Sequence, residues 1–345
     1  VTMKAFYARE QKRHDPKAFL SSGAPQPNPE QPERVERLLA GAREAGCTIL
    51  RPSDHGLGPI AAVHTPEYLD FLEHIYARWQ RIAEASDEVI PNIHPLARDG
   101  RYPASAVGQA GYHMADTACP ISGETWESVR WSAWSAVDAA DAILAGDRAA
   151  YALCRPPGHH AFADVAGGFC FLNNSAVAAQ RLLSNAARVV ILDIDLHHGN
   201  GTQGIFYRRS DVLTVSIHAD PVRFYPFFWG HADERGEGPG LGYNLNLPLD
   251  RKSGDTEFLA ALDVAFRRIR AYAPDALVVA LGLDAFEGDP FGGLSVSTPG
   301  FARIGAAISG LGLPTAIVQE GGYLCDALSD NLTSFLTGFG AAATI

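Results

Sequence analysis

Cysteine is scarce in this chain. The five residues, at 47, 119, 154, 170 and 325, are odd in number, widely scattered and never spaced Cys-x-x-Cys. No disulfide framework follows from them, and a reduced cytoplasm is the expected compartment. Long apolar runs are missing too: none approaches the roughly 20 residues that span a bilayer, and no signal-peptide pattern is seen. The third deficit is basic charge. Against 28 Lys and Arg stand 39 Asp and Glu, a net charge of −11, which argues against nucleic acid and favours small cationic partners through weak long-range steering. Internal repeats, low-complexity tracts and linkers are absent as well, so residues 1–345 are expected to form a single domain.

What is present is core material and a recurring pattern. Hydrophobic residues make up 47% of the chain, ample for a large core. Short strands are expected near 4–8 and 47–51, and helices near 32–45 and 65–85, the latter opened by Thr65 as N-cap and Pro66 at the first position. Pro-rich polar sequence around 24–29 lies between. From 86 to 125 no periodicity is evident, and such a long loop is expected to cover a pocket or join two subunits. Beyond it strands and helices alternate: helices near 128–145, 174–185, 202–207, 255–271 and 298–309, with a last one ending near 337, and strands near 149–154, 189–195, 212–218, 276–283 and 315–319. This predicts an α/β fold with one mostly parallel multi-stranded sheet and helices on both faces.

The chain is organised around Val189-Val190-Ile191-Leu192-Asp193-Ile194-Asp195-Leu196-His197-His198-Gly199-Asn200-Gly201-Thr202. An apolar run without alternation reads as a strand buried on both faces, and it ends in two aspartates and two histidines. Side chains two apart share a face, so Asp195 and His197 can reach one metal with Asp193 just beneath them. Ligand sites in open α/β sheets lie at the carboxyl ends of strands. Three further strand ends carry unusual polar residues: His159-His160, Asp284 and Tyr323.

Asp195, His197 and Asp284 would give one imidazole and two carboxylates with open positions. That set suits Zn²⁺ and also Mn²⁺, Fe²⁺ or Co²⁺. Two anionic ligands cancel the ion's charge and leave its water less acidic than an all-histidine site would, so a separate base is needed. His159 and His160 supply candidates, because paired buried imidazoles push each other's pKa apart. Asp193 is read as orienting a histidine or holding a structural cation. Asn200 either does likewise or forms a plain Asn-Gly turn, and His198 is read as a packed neighbour. Tyr323, after two glycines, could donate its hydroxyl to an oxyanion. Phe169, after Gly167-Gly168, and Tyr225 could wall a narrow channel or simply pack in the core.

These motifs together resemble the histone deacetylase and acetylpolyamine amidohydrolase superfamily. The carrying stretches are Arg155-Pro156-Pro157-Gly158-His159-His160, Gly167-Gly168-Phe169-Cys170-Phe171-Leu172-Asn173-Asn174, the 192–202 segment, Leu281-Gly282-Leu283-Asp284 and Glu320-Gly321-Gly322-Tyr323. The match is nearest to bacterial acetylpolyamine amidohydrolases. The resemblance implies an arginase-like α/β fold and zinc-dependent amide hydrolysis. It implies Asp195, His197 and Asp284 as zinc ligands, His160 as general base and acid, His159 as its electrostatic partner, and Tyr323 as the group polarising the carbonyl. Phe169, Gly168 and Tyr225 become channel walls. A potassium ion is implied at Asp193, Asp195, His197, Ser216 and Ile217.

The long segment is where the sequence departs from the pattern. Polyamine-type members place a glutamate there, near the substrate's distal ammonium; here Ala118 occupies that place and Asp116 is the nearest acid. A small acylated amine such as acetylcadaverine or acetylputrescine is therefore expected as substrate, with a homodimer whose loops narrow the channel. The competing readings are a protein acetyl-lysine deacetylase, an arginase-like binuclear manganese ureohydrolase and a catalytically silent acyl-amine sensor.

Overall fold

The computed structural model describes residues 2–342. Its centre is an eight-stranded parallel sheet. In chain order the strands are β1 (Lys4–Phe6), β4 (Thr48–Leu50), β5 (Ala149–Ala152), β6 (Val189–Asp193), β7 (Val212–Ala219), β8 (Asn244–Leu249), β9 (Ala276–Leu281) and β10 (Thr315–Gln319). Across the sheet they run β4-β1-β5-β10-β9-β6-β7-β8. The absence of polar alternation in β6 and β9 has its reason here: both faces of the sheet are covered.

One face carries the larger side chains. Val190, Leu192, Leu277, Val279, Leu281 and Ile317 pack there on α1 (Glu33–Glu44), α8 (Asp255–Tyr272), α9 (Thr298–Ser309) and α10 (Leu328–Ala342). The opposite face is lined by Val189, Ile191, Val278, Ala280, Ala316 and Val318. The small residues of α5 (Thr125–Leu144) and α6 (Asn174–Leu182) meet it, including Ala136, Ala139, Ala140, Ala176 and Ala179. A third cluster joins α3 (Pro66–Trp79) to α5 through Tyr68, Phe71, Leu72, Val129 and Trp134. The expected N-cap is made, Thr65 accepting from the Tyr68 N–H.

Three elements depart from the sequence reading. The Pro-rich stretch forms a small antiparallel hairpin, β2 (Ala18–Ser21) with β3 (Ala24–Pro27). Its two prolines sit on an edge strand, where no ladder N–H is required. The 86–125 segment is not loop throughout: it contains α4 (Ala106–His113), capped by Ser105, and a bridge from Val89 to Ile121. Two glycines within eight residues leave α4 too small an apolar face to show a period. β8 was unforeseen because Pro248 interrupts it, which an edge position tolerates.

The strand order determines where the site forms. β5, β10, β9 and β6 are four adjacent strands, and parallel strands present their carboxyl ends to one edge. His159-His160, Tyr323, Asp284 and Asp195-His197, spread over 165 residues of sequence, follow those four ends.

Candidate active site

Asp195, His197 and Asp284 meet beyond the ends of β6 and β9. Each offers a ligand atom, and the three atoms lie within 4.8 Å of one another, all buried. His197 Nδ1 stands 3.2 Å from Asp284 Oδ2 and 3.4 Å from Asp195 Oδ1. Backbone donors aim the carboxylates: Asp195 accepts from the N–H groups of His197 at 2.8 Å and Gly321 at 2.8 Å, and Asp284 from Leu196 at 3.0 Å. Glycine is required around them. A Cβ on Gly282 would sit 2.2 Å from Asp195 Oδ2, and one on Gly321 would sit 2.4 Å from Asp284 Oδ2.

Burial and the nearby Asp195 charge push the Asp284 carboxyl upward, whereas Asp195 is held low because His159 and His197 outweigh its burial. His197, which burial alone would lower, is raised to about 9 by the two carboxylates. Two buried anions this close require a cation, and an imidazole-plus-dicarboxylate set fits a divalent transition-metal ion.

The paired histidines follow β5 on the turn Arg155–Gly158 and lie with ring centroids 4.1 Å apart. Their partners separate them. His159 Nδ1 is 2.9 Å from Asp193 Oδ2, and its Nε2 is 3.7 Å from Asp195 Oδ1. Burial would lower this imidazole, but Asp195 and Asp193 prevail and hold it well above its ordinary value. His160 goes the opposite way, lowered by burial and then by the positive charge of His159 and His197. Its Nδ1 donates to Asn200 Oδ1 at 2.7 Å, because a carbonyl oxygen can only accept. Nε2 therefore keeps its lone pair. Neutral His160 is equipped to take a proton, beside a charged neighbour that cannot.

Tyr323 is buried between Phe169 and Phe291, at ring-centroid distances of 5.8 and 4.8 Å. Gly322 before it adopts φ +110°, a conformation open to glycine. Burial pushes the phenol far up, so it stays protonated. Among the described residues nothing bonds its hydroxyl, which leaves that donor free. His160, His197, Phe169, Gly168, Tyr225, Phe291 and Tyr323 all line one cavity of about 320 Å³, whose wall also includes Asp116, Thr117 and Ala118. Phe169 and Tyr225 thus both line this cavity.

The remaining sequence candidates lie beneath this layer. Asp193 pairs in register with Ser216 of β7 and accepts from the Asp195 N–H at 3.0 Å. Ser216 Oγ is 2.7 Å from His218 Nδ1, and Ile217 is fully buried beside it. His198, expected to be a packed neighbour, stacks obliquely on His218 at 4.7 Å and contacts Asn246.

Several supporting residues escaped the sequence reading. Glu320, raised to about 7 by burial, accepts from the N–H groups of Gly158 and His159 and from Ser175. Asp289, also raised to about 7 by burial and by Asp284, accepts from Tyr323 N–H at 3.0 Å. The fully buried Glu30 contacts both Arg34, which donates to the carbonyls of Glu320 and Gly322, and Arg155, at the start of the histidine turn. A charged residue in a polar stretch gives no signal of such burial. Only the Glu320 position, directly after an apolar strand, offered one.

The model of the histone deacetylase domain matches residues 28–339. This chain belongs to the histone deacetylase family. Within it, the chain is 48% identical over 340 residues to an acetylpolyamine amidohydrolase of Burkholderia pseudomallei, covering 98% of this chain and 99% of that one. It is 45% identical to acetylpolyamine amidohydrolase 1 of Pseudomonas aeruginosa, over 99% and 100% of the two chains. A crystal structure of the acetylpolyamine aminohydrolase from Burkholderia pseudomallei superposes with a TM-score of 0.96, at 48% identity and 99% coverage of each chain.

Proposed function

We propose that this histone deacetylase family member is a zinc-dependent amidohydrolase that removes the acetyl group from small N-acetylated amines. One observation carries the reading: His197 of the Asp195/His197/Asp284 cluster, neutral His160 and Tyr323 line one cavity. The relatives named as acetylpolyamine amidohydrolases support the substrate class.

In the proposed reaction Asp195, His197 and Asp284 would hold one zinc ion, for which iron, manganese or cobalt could substitute. When bound, the ion supplies Lewis-acid polarisation of the acyl carbonyl and acidifies water. His160 Nε2 takes the proton of the attacking water. The imidazolium of His159, balanced by Asp193, keeps His160 unprotonated at rest. As the carbonyl oxygen gains charge, the Tyr323 hydroxyl donates to it, and the buried setting strengthens that bond. His160 then returns its proton to the leaving amine nitrogen. Phe169 and Tyr225 admit a slender chain and exclude bulk. The net charge of −11 steers a cationic amine toward the mouth.

Asp193, Ser216, Ile217 and the backbone oxygens of Asp195 and His197 are proposed to hold a potassium ion. We further propose that the chain works as one domain, in the cytoplasm, as a homodimer joined through the 86–125 segment. Among the described residues no helix is long and apolar enough to cross a membrane.

The test is kinetic. Metal-quantified protein is assayed on acetylputrescine, acetylcadaverine, acetylspermidine and acetyl-lysine peptides. Higher kcat/KM on the free acetylated amines is expected; higher values on the peptides would transfer the assignment to a protein deacetylase.

A further inference from the structure

Asp116 lies on the 86–125 segment, far in sequence from every residue of the proposed chemistry, yet its carboxylate reaches the channel wall. Oδ2 accepts from the Tyr225 hydroxyl at 2.8 Å and from the Gly168 N–H at 3.0 Å. Oδ1 accepts from the Ala118 N–H at 2.9 Å. One side chain therefore ties together three separate pieces of chain: its own loop, the Gly167–Phe169 turn and the loop after β7.

What it fixes matters because of where Tyr225 points. The Tyr225 ring stands edge-on to His160, with centroids 4.9 Å apart and planes at 89°, and 6.1 Å from His197. Gly168 is equally tight against the base. It adopts φ +52°, and a Cβ there would fall 2.5 Å from His160 Cδ2 and 2.9 Å from the Tyr225 hydroxyl. Both groups that Asp116 holds thus flank the imidazole of His160. The other side of that imidazole is held by Asn200. Three of the carboxylate's four acceptor positions are committed to these protein donors.

We infer that Asp116 is a positioning residue that anchors Tyr225 and Gly168 against His160, and not primarily a counter-charge for the substrate's ammonium group. The inference rests on the amide-hydrolase reading. Its three partners are neutral donors and leave its charge in place, so comparing a cationic with a neutral substrate separates anchoring from attraction of an ammonium. A misplacement of about 1 Å at a reacting group costs on the order of 10²-fold in rate. That sets the scale expected when the anchor is removed.

The test compares a cationic substrate, acetylcadaverine, with a neutral one of similar shape, N-pentylacetamide. Asp116→Ala is expected to lower kcat about ten- to a hundredfold on both substrates alike. Tyr225→Phe, which removes only the hydroxyl, is expected to reproduce a large part of that loss. The double variant should lose no more than Asp116→Ala alone, because the two residues act through one bond. Asp116→Asn keeps a carbonyl oxygen for the two donors at the Oδ2 position and should recover most of the loss, again equally on both substrates. Bound metal and thermal midpoint are measured on each variant, and Tyr225→Phe, which breaks the same bond, carries the test on both substrates should Asp116→Ala fold poorly.

A loss confined to acetylcadaverine, or multiplicative losses in the double variant, would overturn the inference. If the parent protein hydrolyses neither substrate, the amide-hydrolase reading itself fails, an outcome distinct from both.

Discussion

His160 donates to Asn200 at 2.7 Å, so a neutral amide, not a carboxylate, orients the proposed base. An amide stabilises the imidazolium less than an anion does. With burial and the charged His159 acting in the same direction, the base stays neutral well into acid. Activity should therefore fall only well below pH 6.5. Asn200→Asp would place a carboxylate on Nδ1, raise the pKa of His160 and move the acidic limb of kcat/KM upward by roughly one pH unit or more. A pH–rate profile of the variant checks this, and an unmoved limb would refute His160 as the base.

Tyr323→Phe should retain bound metal and lose about 10²- to 10³-fold in turnover, the scale of one oxyanion donor removed. Steady-state kinetics with parallel metal analysis decide the point. An undiminished rate would remove the hydroxyl from the mechanism.

Acid stability offers a test independent of activity. His64 accepts from the Asn173 N–H at Nε2 and bonds the Ala163 carbonyl through Nδ1. Burial holds it down to about 4. The native imidazole stays neutral while the unfolded one protonates below 6.5, so stability is present above that value and drains as pH falls from 6.5 to 4. Over that window the loss from this one group is about 3 kcal/mol. His64→Gln keeps a donor and an acceptor without titrating. Urea midpoints between pH 7.5 and 4.5 should fall less steeply in the variant than in the parent, and parallel slopes would contradict the assignment.

The residues of the proposed metal site were legible because they violate their surroundings. Asp193, Asp195 and His197 end an apolar run, and Asp284 and Tyr323 end two more, so strand topology alone could bring them together. The supports were hidden for the opposite reason. Glu30, Arg34 and Asp289 sit in ordinary polar stretches, and their burial follows from tertiary contacts that no local pattern encodes. The same holds for Asp116. Its charge was visible, but its bonds to Tyr225 and Gly168 depend on how three loops meet. The β2–β3 hairpin, α4 and β8 were missed where proline or glycine masked a short element.

The proposed site binds a single catalytic metal between Asp195, His197 and Asp284. Its most direct test adds zinc stepwise to metal-stripped protein while acetate released from an acetylated diamine is measured alongside bound metal. Activity should rise linearly and reach its plateau at one ion per chain, and Asp284→Ala should neither retain that ion nor release acetate. A plateau only at two ions, or full activity in the Asp284→Ala protein, would contradict the account and favour a binuclear site.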